Sequence, residues 1–189
     1  MPPLSSVVLY WSAGGNTAQM AQAAVQGLQE AGAEVTLLSM TDLRAEEIDL
    51  AGYHLVGLAC PSYHFGAPAP VRRYVEQALR KHEVRPRAPV LTHRWGVAMV
   101  TYAGPHTGID EATPAGDYLV QGLRHIGRQV RGVWYTVGAF HGDPDQENNR
   151  LGWLGDIRGR PNEHDLAVIT ANARGLAHVL QHELAEPEA

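Results

Sequence analysis

The stretch Val7-Val8-Leu9-Tyr10-Trp11-Ser12-Ala13-Gly14-Gly15-Asn16-Thr17 decides how this chain is read. Val7 to Tyr10 is an apolar, β-branched run fit for a buried strand. The small, hydroxyl-bearing and glycine residues that follow break it. From Thr17 to Ala31 the pattern turns helical, with Met20, Ala24, Leu28 and Ala31 on one apolar stripe. A strand that turns through glycines into a helix gathers backbone N–H groups and the positive end of a helix dipole at one point. That is an anion site, most often one for phosphate.

The rest of the chain repeats the alternation. Gly32 stands where a helix C-terminal glycine belongs. Val35 to Leu38 reads as a second strand, and the acidic stretch Thr41 to Leu50 as one or two helical turns. Tyr53 to Ala59 is a third apolar run, closed by Cys60 and Pro61. Pro70 suits a helix N-terminus, and Val71, Val75, Ala78 and Leu79 stripe the helix after it. Glu83 to Pro89 is a connector. Gly96 to Thr101 is a fourth strand; Thr113-Pro114 reads as an N-cap with a first-turn proline. Leu119, Leu123 and Ile126 continue that helix to Gly127. Gln129 to Val137 is a fifth strand, whose Gln129 and Arg131 suit a sheet edge. Ala139 to Pro161 reads as a long loop without periodicity. Asn162 with Asp165 resembles a capping box, opening a last helix striped by Leu166, Ile169, Ala173, Leu176 and Leu180. Glu183 to Ala189 is a frayed tail. Five strands alternating with helices imply an α/β, doubly wound parallel sheet covered on both faces, as a single domain over residues 1–189. The loops after strands one, three and four then meet at the carboxyl ends of the strands, where such sheets bind ligands.

Composition narrows the function. The chain has 189 residues, 44% hydrophobic and 19% charged, with a formal charge of −5. This is an ordinary globular composition with no basic run for nucleic acid. Cys60 is the one cysteine, so no internal disulfide forms. No apolar run reaches the ~20 residues of a membrane span, and no charged n-region precedes an apolar one, so the expectation is a cytoplasmic protein. The ten histidines fall in no metal-binding spacing and read mostly as surface or helix-end residues, so no metal site is expected.

The first loop lacks the lysine of a P-loop. It also lacks the G-x-G-x-x-G spacing and the acidic second-strand end of a dinucleotide fingerprint. What remains is a cation-free loop with hydroxyls from Ser12 and Thr17, the Asn16 amide and several N–H groups, which together can hold a phosphate dianion. Tyr10-x-Ser12-x-x-Gly15-x-Thr17-x-x-x-Ala21 resembles the FMN-phosphate loop of the flavodoxin-like family. The resemblance implies the five-stranded order 2-1-3-4-5 and phosphate contacts from Ser12, Ala13, Gly14, Gly15, Asn16 and Thr17. The family often has Thr or Ser where this chain has Gly14, so one hydroxyl donor is missing. Pro61-Ser62-Tyr63-His64-Phe65-Gly66 resembles the family segment whose backbone hydrogen-bonds the isoalloxazine, with Tyr63, then Phe65, as the stacking aromatic. Thr101, Tyr102, Ala103 and Gly104 occupy the third loop of the flavin site, and His106 there is the candidate proton donor.

Each assignment has a plainer rival. Ser12 and Thr17 serve equally as helix caps, Tyr63 and Phe65 as rim packing, and His106 as a solvated loop histidine. Cys60 reads as a buried, inert thiol. The loop from Ala139 to Pro161, with His141, Asn148, Asn149, Arg150 and Trp153, is a lid, a nicotinamide site or a subunit contact; Arg150, Arg158 and Arg160 read as solvated. The resemblance implies FMN and two functions. One is an NAD(P)H-dependent reductase of quinones, flavins or similar acceptors. The other is an electron carrier that serves a redox partner protein. A flavin-free binding subunit of the same fold is a third reading. The mild acidity and the long loop favour the enzyme, with a small-molecule acceptor, and leave homo-oligomerisation open.

Overall fold

The computed structural model describes residues 3–82, 90–142 and 144–186. The connector expected over Glu83 to Pro89 lies outside the described residues, as does the end of the tail. Five strands form one all-parallel sheet: β1 (Ser5–Tyr10), β2 (Glu34–Ser39), β3 (Leu55–Pro61), β4 (Trp95–Tyr102) and β5 (Gln129–Val137). Their spatial order is β2-β1-β3-β4-β5. The helices are α1 (Asn16–Glu30), α2 (Leu43–Glu47), α3 (Ala69–Lys81), α4 (Thr113–His125), α5 (Glu147–Leu151) and α6 (Glu163–Ala185).

The two-residue period of the strands sorts the core into two layers. Val7 and Leu9, with Val56, Leu58 and Cys60, pack under α3 and α4; Val8, Leu55, Ala59 and Met99 pack under α1 and α6. The central strand β3 is buried along its whole length, whereas edge strand β5 is only half-buried. Burial on both faces is what the uninterrupted apolar runs signalled. The polar Arg131 sits where the β4–β5 pairing steps from Gly96–Val130 to Val97–Gly132, so it is the unpaired residue of a bulge. Its guanidinium pairs with Glu183 and lies 5.9 Å from the Trp95 ring centroid.

Several boundaries differ from the expectations. Strand β3 begins at Leu55, and the carbonyls of Tyr53 and His54 just before it accept from buried Arg128. Burial, helped by the nearby Arg94 and only partly offset by Asp49, pushes that guanidinium down to about 10. Thr113 is the first residue of α4 rather than its cap. The N-cap is Ala112, and the Thr113 hydroxyl donates to the Asp110 carbonyl at 3.2 Å. The stretch expected to be a structureless loop carries α5 and is pinned at both ends. The capping box is present in full, with Asn162 and Asp165 each accepting from the other's backbone.

Helices α1 and α6 cross at Gly27. A Cβ there would meet the Thr170 carbonyl oxygen at 2.1 Å, while one at Gly175 on α6 would meet nothing within 4 Å. Overpacking against backbone outweighs the helix propensity that alanine adds. Gly27→Ala is expected to lose about 1–3 kcal/mol in urea unfolding, whereas Gly175→Ala gains up to ~1 kcal/mol.

Candidate functional site

The parallel sheet points the carboxyl ends of β1, β3, β4 and β5 to one edge, and the segments leaving them surround a cleft of about 780 Å³. Of the expected binding residues, all but Gly15 and Gly66 line it, and so does His106. These two glycines shape the turns instead. Gly15 is the N-cap of α1 at φ 96°, a left-handed conformation that glycine alone adopts readily, and it offers no side-chain cap. The Ser12 hydroxyl accepts from the Gly15 N–H at 3.0 Å, curling the loop onto the helix start. The helix begins at Asn16, one residue earlier than expected, so neither Ser12 nor Thr17 is its cap. Thr17 is 1% exposed. Its hydroxyl pairs with that of Thr101 at 2.7 Å, joining the first loop to the end of β4.

The second loop is a two-residue hairpin. Tyr63 and Gly66 exchange N–H···O bonds at 3.0 Å, and His64 and Phe65 between them have φ of 48° and 63°. Such left-handed non-glycine residues cost on the order of 1 kcal/mol each, and strain of this kind gathers at functional sites. The hairpin lifts Phe65 to 59% exposure, while Tyr63, 41% exposed, keeps one edge against Trp11, with ring centroids 5.8 Å apart. Tyr63 is thus both rim packing and an open aromatic surface. In the third loop, burial raises the Tyr102 hydroxyl above the ordinary tyrosine range. His106 stands exposed at the rim.

Two further contributors complete the cleft, of which Glu111 was not expected and the chain after β5 was expected as a lid, a nicotinamide site or a subunit contact. Glu111 supports two loops: its carboxylate accepts from the His106 and Thr107 N–H groups, both at 2.7 Å, and its carbonyl accepts the Ser62 hydroxyl at 2.5 Å. The second is the chain after β5. Asn16 Nδ2 donates to the Ala139 carbonyl at 2.8 Å, and its Oδ1 lies 3.2 Å from His141 Nε2. Asn149, 1% exposed, clamps Phe140 by accepting from its N–H at 2.7 Å and donating to its carbonyl at 2.9 Å. An imidazole therefore stands beside the first loop, supplied 125 positions downstream of Asn16. His64, His106 and His141 all line the cleft, so three of the scattered histidines converge. Among the described residues, its lining includes no lysine or arginine.

The fold is flavodoxin-like: an open, doubly wound sheet in the order 2-1-3-4-5, with its cleft at the carboxyl edge. Residues 8–86 match the family described as Flavodoxin. A flavodoxin from the domain Archaea aligns over 94% of this chain and 99% of its own, with a TM-score of 0.64 at 16% identity. The flavodoxin, WrbA-like protein from Agrobacterium tumefaciens aligns over 95% and 98%, with a TM-score of 0.60 at 15% identity. In sequence, the NAD(P)H dehydrogenase (quinone) of Brucella ovis is 44% identical over 55 residues. That segment spans 29% of this chain and 28% of the relative. Among the described residues, no helix is long and apolar enough to cross a membrane.

Cys60 is buried and belongs to the core beneath α3 and α4. Burial pushes its thiol up to about 12. Because only the thiolate reacts, Ellman's reagent at about pH 8 is expected to find no thiol in the folded protein and one after unfolding. With its folded value raised, Cys60 favours the folded state at neutral pH, and that contribution is lost as pH climbs from the ordinary thiol range toward 12. Asn149→Ala leaves the part-buried N–H and C=O of Phe140 without their side-chain partner. It is expected to lose about 2 kcal/mol and to speed amide exchange around Phe140.

Proposed function

We propose that the chain binds FMN in this cleft and works as an NAD(P)H-dependent reductase of quinones, flavins or similar acceptors. The carrying observation is a single cleft with two unlike ends. One end is the uncapped start of α1 with the Ser12–Thr17 loop; the other is a rim bearing Tyr63 and Phe65. The residues fit FMN at both ends. Neutral donors and a helix N-terminus suit a phosphate, and an exposed aromatic suits a flat ring. In this reading Ser12, Ala13, Gly14, Gly15, Asn16 and Thr17 hold the phosphate. Pro61 to Gly66 and Thr101 to Gly104 bound the ring. His106 is the exposed rim group able to give a proton or hydrogen bond to the acceptor. When bound, FMN supplies the hydride and one-electron chemistry. The net reaction converts NAD(P)H, a proton and a quinone into NAD(P)⁺ and a hydroquinone.

Two observations favour the reductase over the carrier. The sequence match to an NAD(P)H dehydrogenase (quinone) is the closer kind of similarity, at 44% identity over its 55 residues. The segment after β5 also widens the site beyond the three loops, and Phe140, 44% exposed, lines the cleft from it. A small-molecule acceptor at the cytoplasmic side of metabolism suits such an apolar rim.

Purified protein is expected to take up FMN and become yellow, and anaerobic NADH or NADPH is expected to bleach it. Protein that takes up no FMN contradicts the whole reading, whereas bound flavin that neither nucleotide reduces leaves the carrier. Ser12→Ala or Thr17→Ala is expected to weaken FMN by about 1–2 kcal/mol in an equilibrium titration. His106→Ala is expected to slow quinone turnover with FMN affinity unchanged.

A further inference from the structure

Gly14 and Gly15 are adjacent but are glycines for different reasons. Gly15 has a left-handed backbone; Gly14 does not, so its backbone accepts any residue. What stands against a side chain at Gly14 is space, since the His141 ring would have to move to admit one. A Cβ there would meet His141 Cδ2 at 2.4 Å and Nε2 at 3.3 Å. The imidazole occupies the place where a side chain at this position would stand.

The ring is held there by several contacts. Asn16 has its amide oriented by donation to the Ala139 carbonyl, so its Oδ1 is the acceptor and His141 Nε2–H the donor. Asn149 fixes the backbone of the preceding residue, Phe140, from the buried side. Ala139 N–H donates to the Arg160 carbonyl at 2.8 Å, anchoring the strap a third time. Glycines clear its path. A Cβ at Gly138 would meet Asn16 Nδ2 at 2.6 Å, and one at Gly142 would meet the Phe140 ring at 2.7 Å. So much positioning of an exposed histidine exceeds what a solvated loop residue requires.

We propose that His141 is a phosphate-recognition residue, standing in for the hydroxyl that Gly14 lacks and supplying a group able to carry positive charge where the loop otherwise has neutral donors. Asn149 is its positioning residue. The inference rests on the FMN reading and makes it specific: the chain discriminates flavin mononucleotide from the uncharged riboflavin through a residue beyond the first loop. With Nε2 on Asn16, Nδ1 is the ring nitrogen left for the anion, and it donates there when the ring carries its second proton. His64 and His106 line the same cleft but rise from the second and third loops, whereas the ring nearest a Gly14 side chain and bonded to Asn16 is that of His141.

The test is a pair of equilibrium titrations, FMN and riboflavin, followed by quenching of flavin fluorescence. His141→Ala is expected to weaken FMN about tenfold, the ordinary worth of a charge-assisted hydrogen bond, while riboflavin affinity and melting temperature stay unchanged. Gly14→Thr in the His141→Ala background is expected to recover FMN affinity, because the vacated space admits the side chain and its hydroxyl. Equal weakening of both ligands, no change in either, or a double variant no better than His141→Ala overturns this assignment alone. Wild-type protein that binds neither flavin overturns the FMN reading and this assignment with it.

Discussion

A parallel sheet buried on both faces leaves little of itself free except the ends of its strands. In this chain β1, β3 and β4 are enclosed between two helical layers, so their side chains are committed to packing. Chemistry is confined to the segments that leave the carboxyl edge. Because all strands run in one direction, those segments come from residues far apart in sequence yet meet in one place. The close crossing of α1 over α6 at Gly27 fixes the axis of α1, and hence where its N-terminus points. A site built from the end of that helix inherits the rigidity of the core below it.

At this edge the groups that line the cleft are supported by neighbours that do not themselves resemble binding residues. Glu111 braces the second and third loops through one carboxylate and one carbonyl. The Asn16 side chain joins the first loop to the strap that follows β5. Thr17 and Thr101 join the first loop to the third. Preorganised neutral donors hold an anion without the desolvation cost of a buried cation. The strained hairpin at His64 and Phe65 completes the opposite wall, trading local stability for exposed aromatic surface.

Most of the architecture was legible because it follows from short-range pattern. The strands were apolar runs, the last helix announced itself through Asn162 and Asp165, and Gly32 and Gly127 closed their helices at positive φ, as expected. The first loop was legible from its residue types. What stayed hidden depends on contacts between distant positions. Gly14 read as a missing hydroxyl, since nothing local reveals that His141 takes its space. Thr113 read as a cap because its type suits one; the short helical turn at Gly108–Glu111 runs directly into α4 and displaces that role to Ala112. The stretch after β5 lacked periodicity because α5 is five residues long and is held by the side chain of Asn149 rather than by an apolar stripe. Glu111 carried no signal beyond an acid a few residues after a loop.

The central claim is that one cleft at the carboxyl edge receives FMN, phosphate toward the start of α1 and ring toward Tyr63. The direct measurement is a map of amide chemical-shift changes in ¹⁵N-labelled protein as FMN is added. The account predicts the largest changes at Ser12 to Thr17, Ser62 to Phe65, Tyr102 to Gly104 and His141, with riboflavin reproducing the second and third groups but leaving His141 and the first loop much less disturbed. Changes centred elsewhere, or a first loop that responds equally to both flavins, would contradict it.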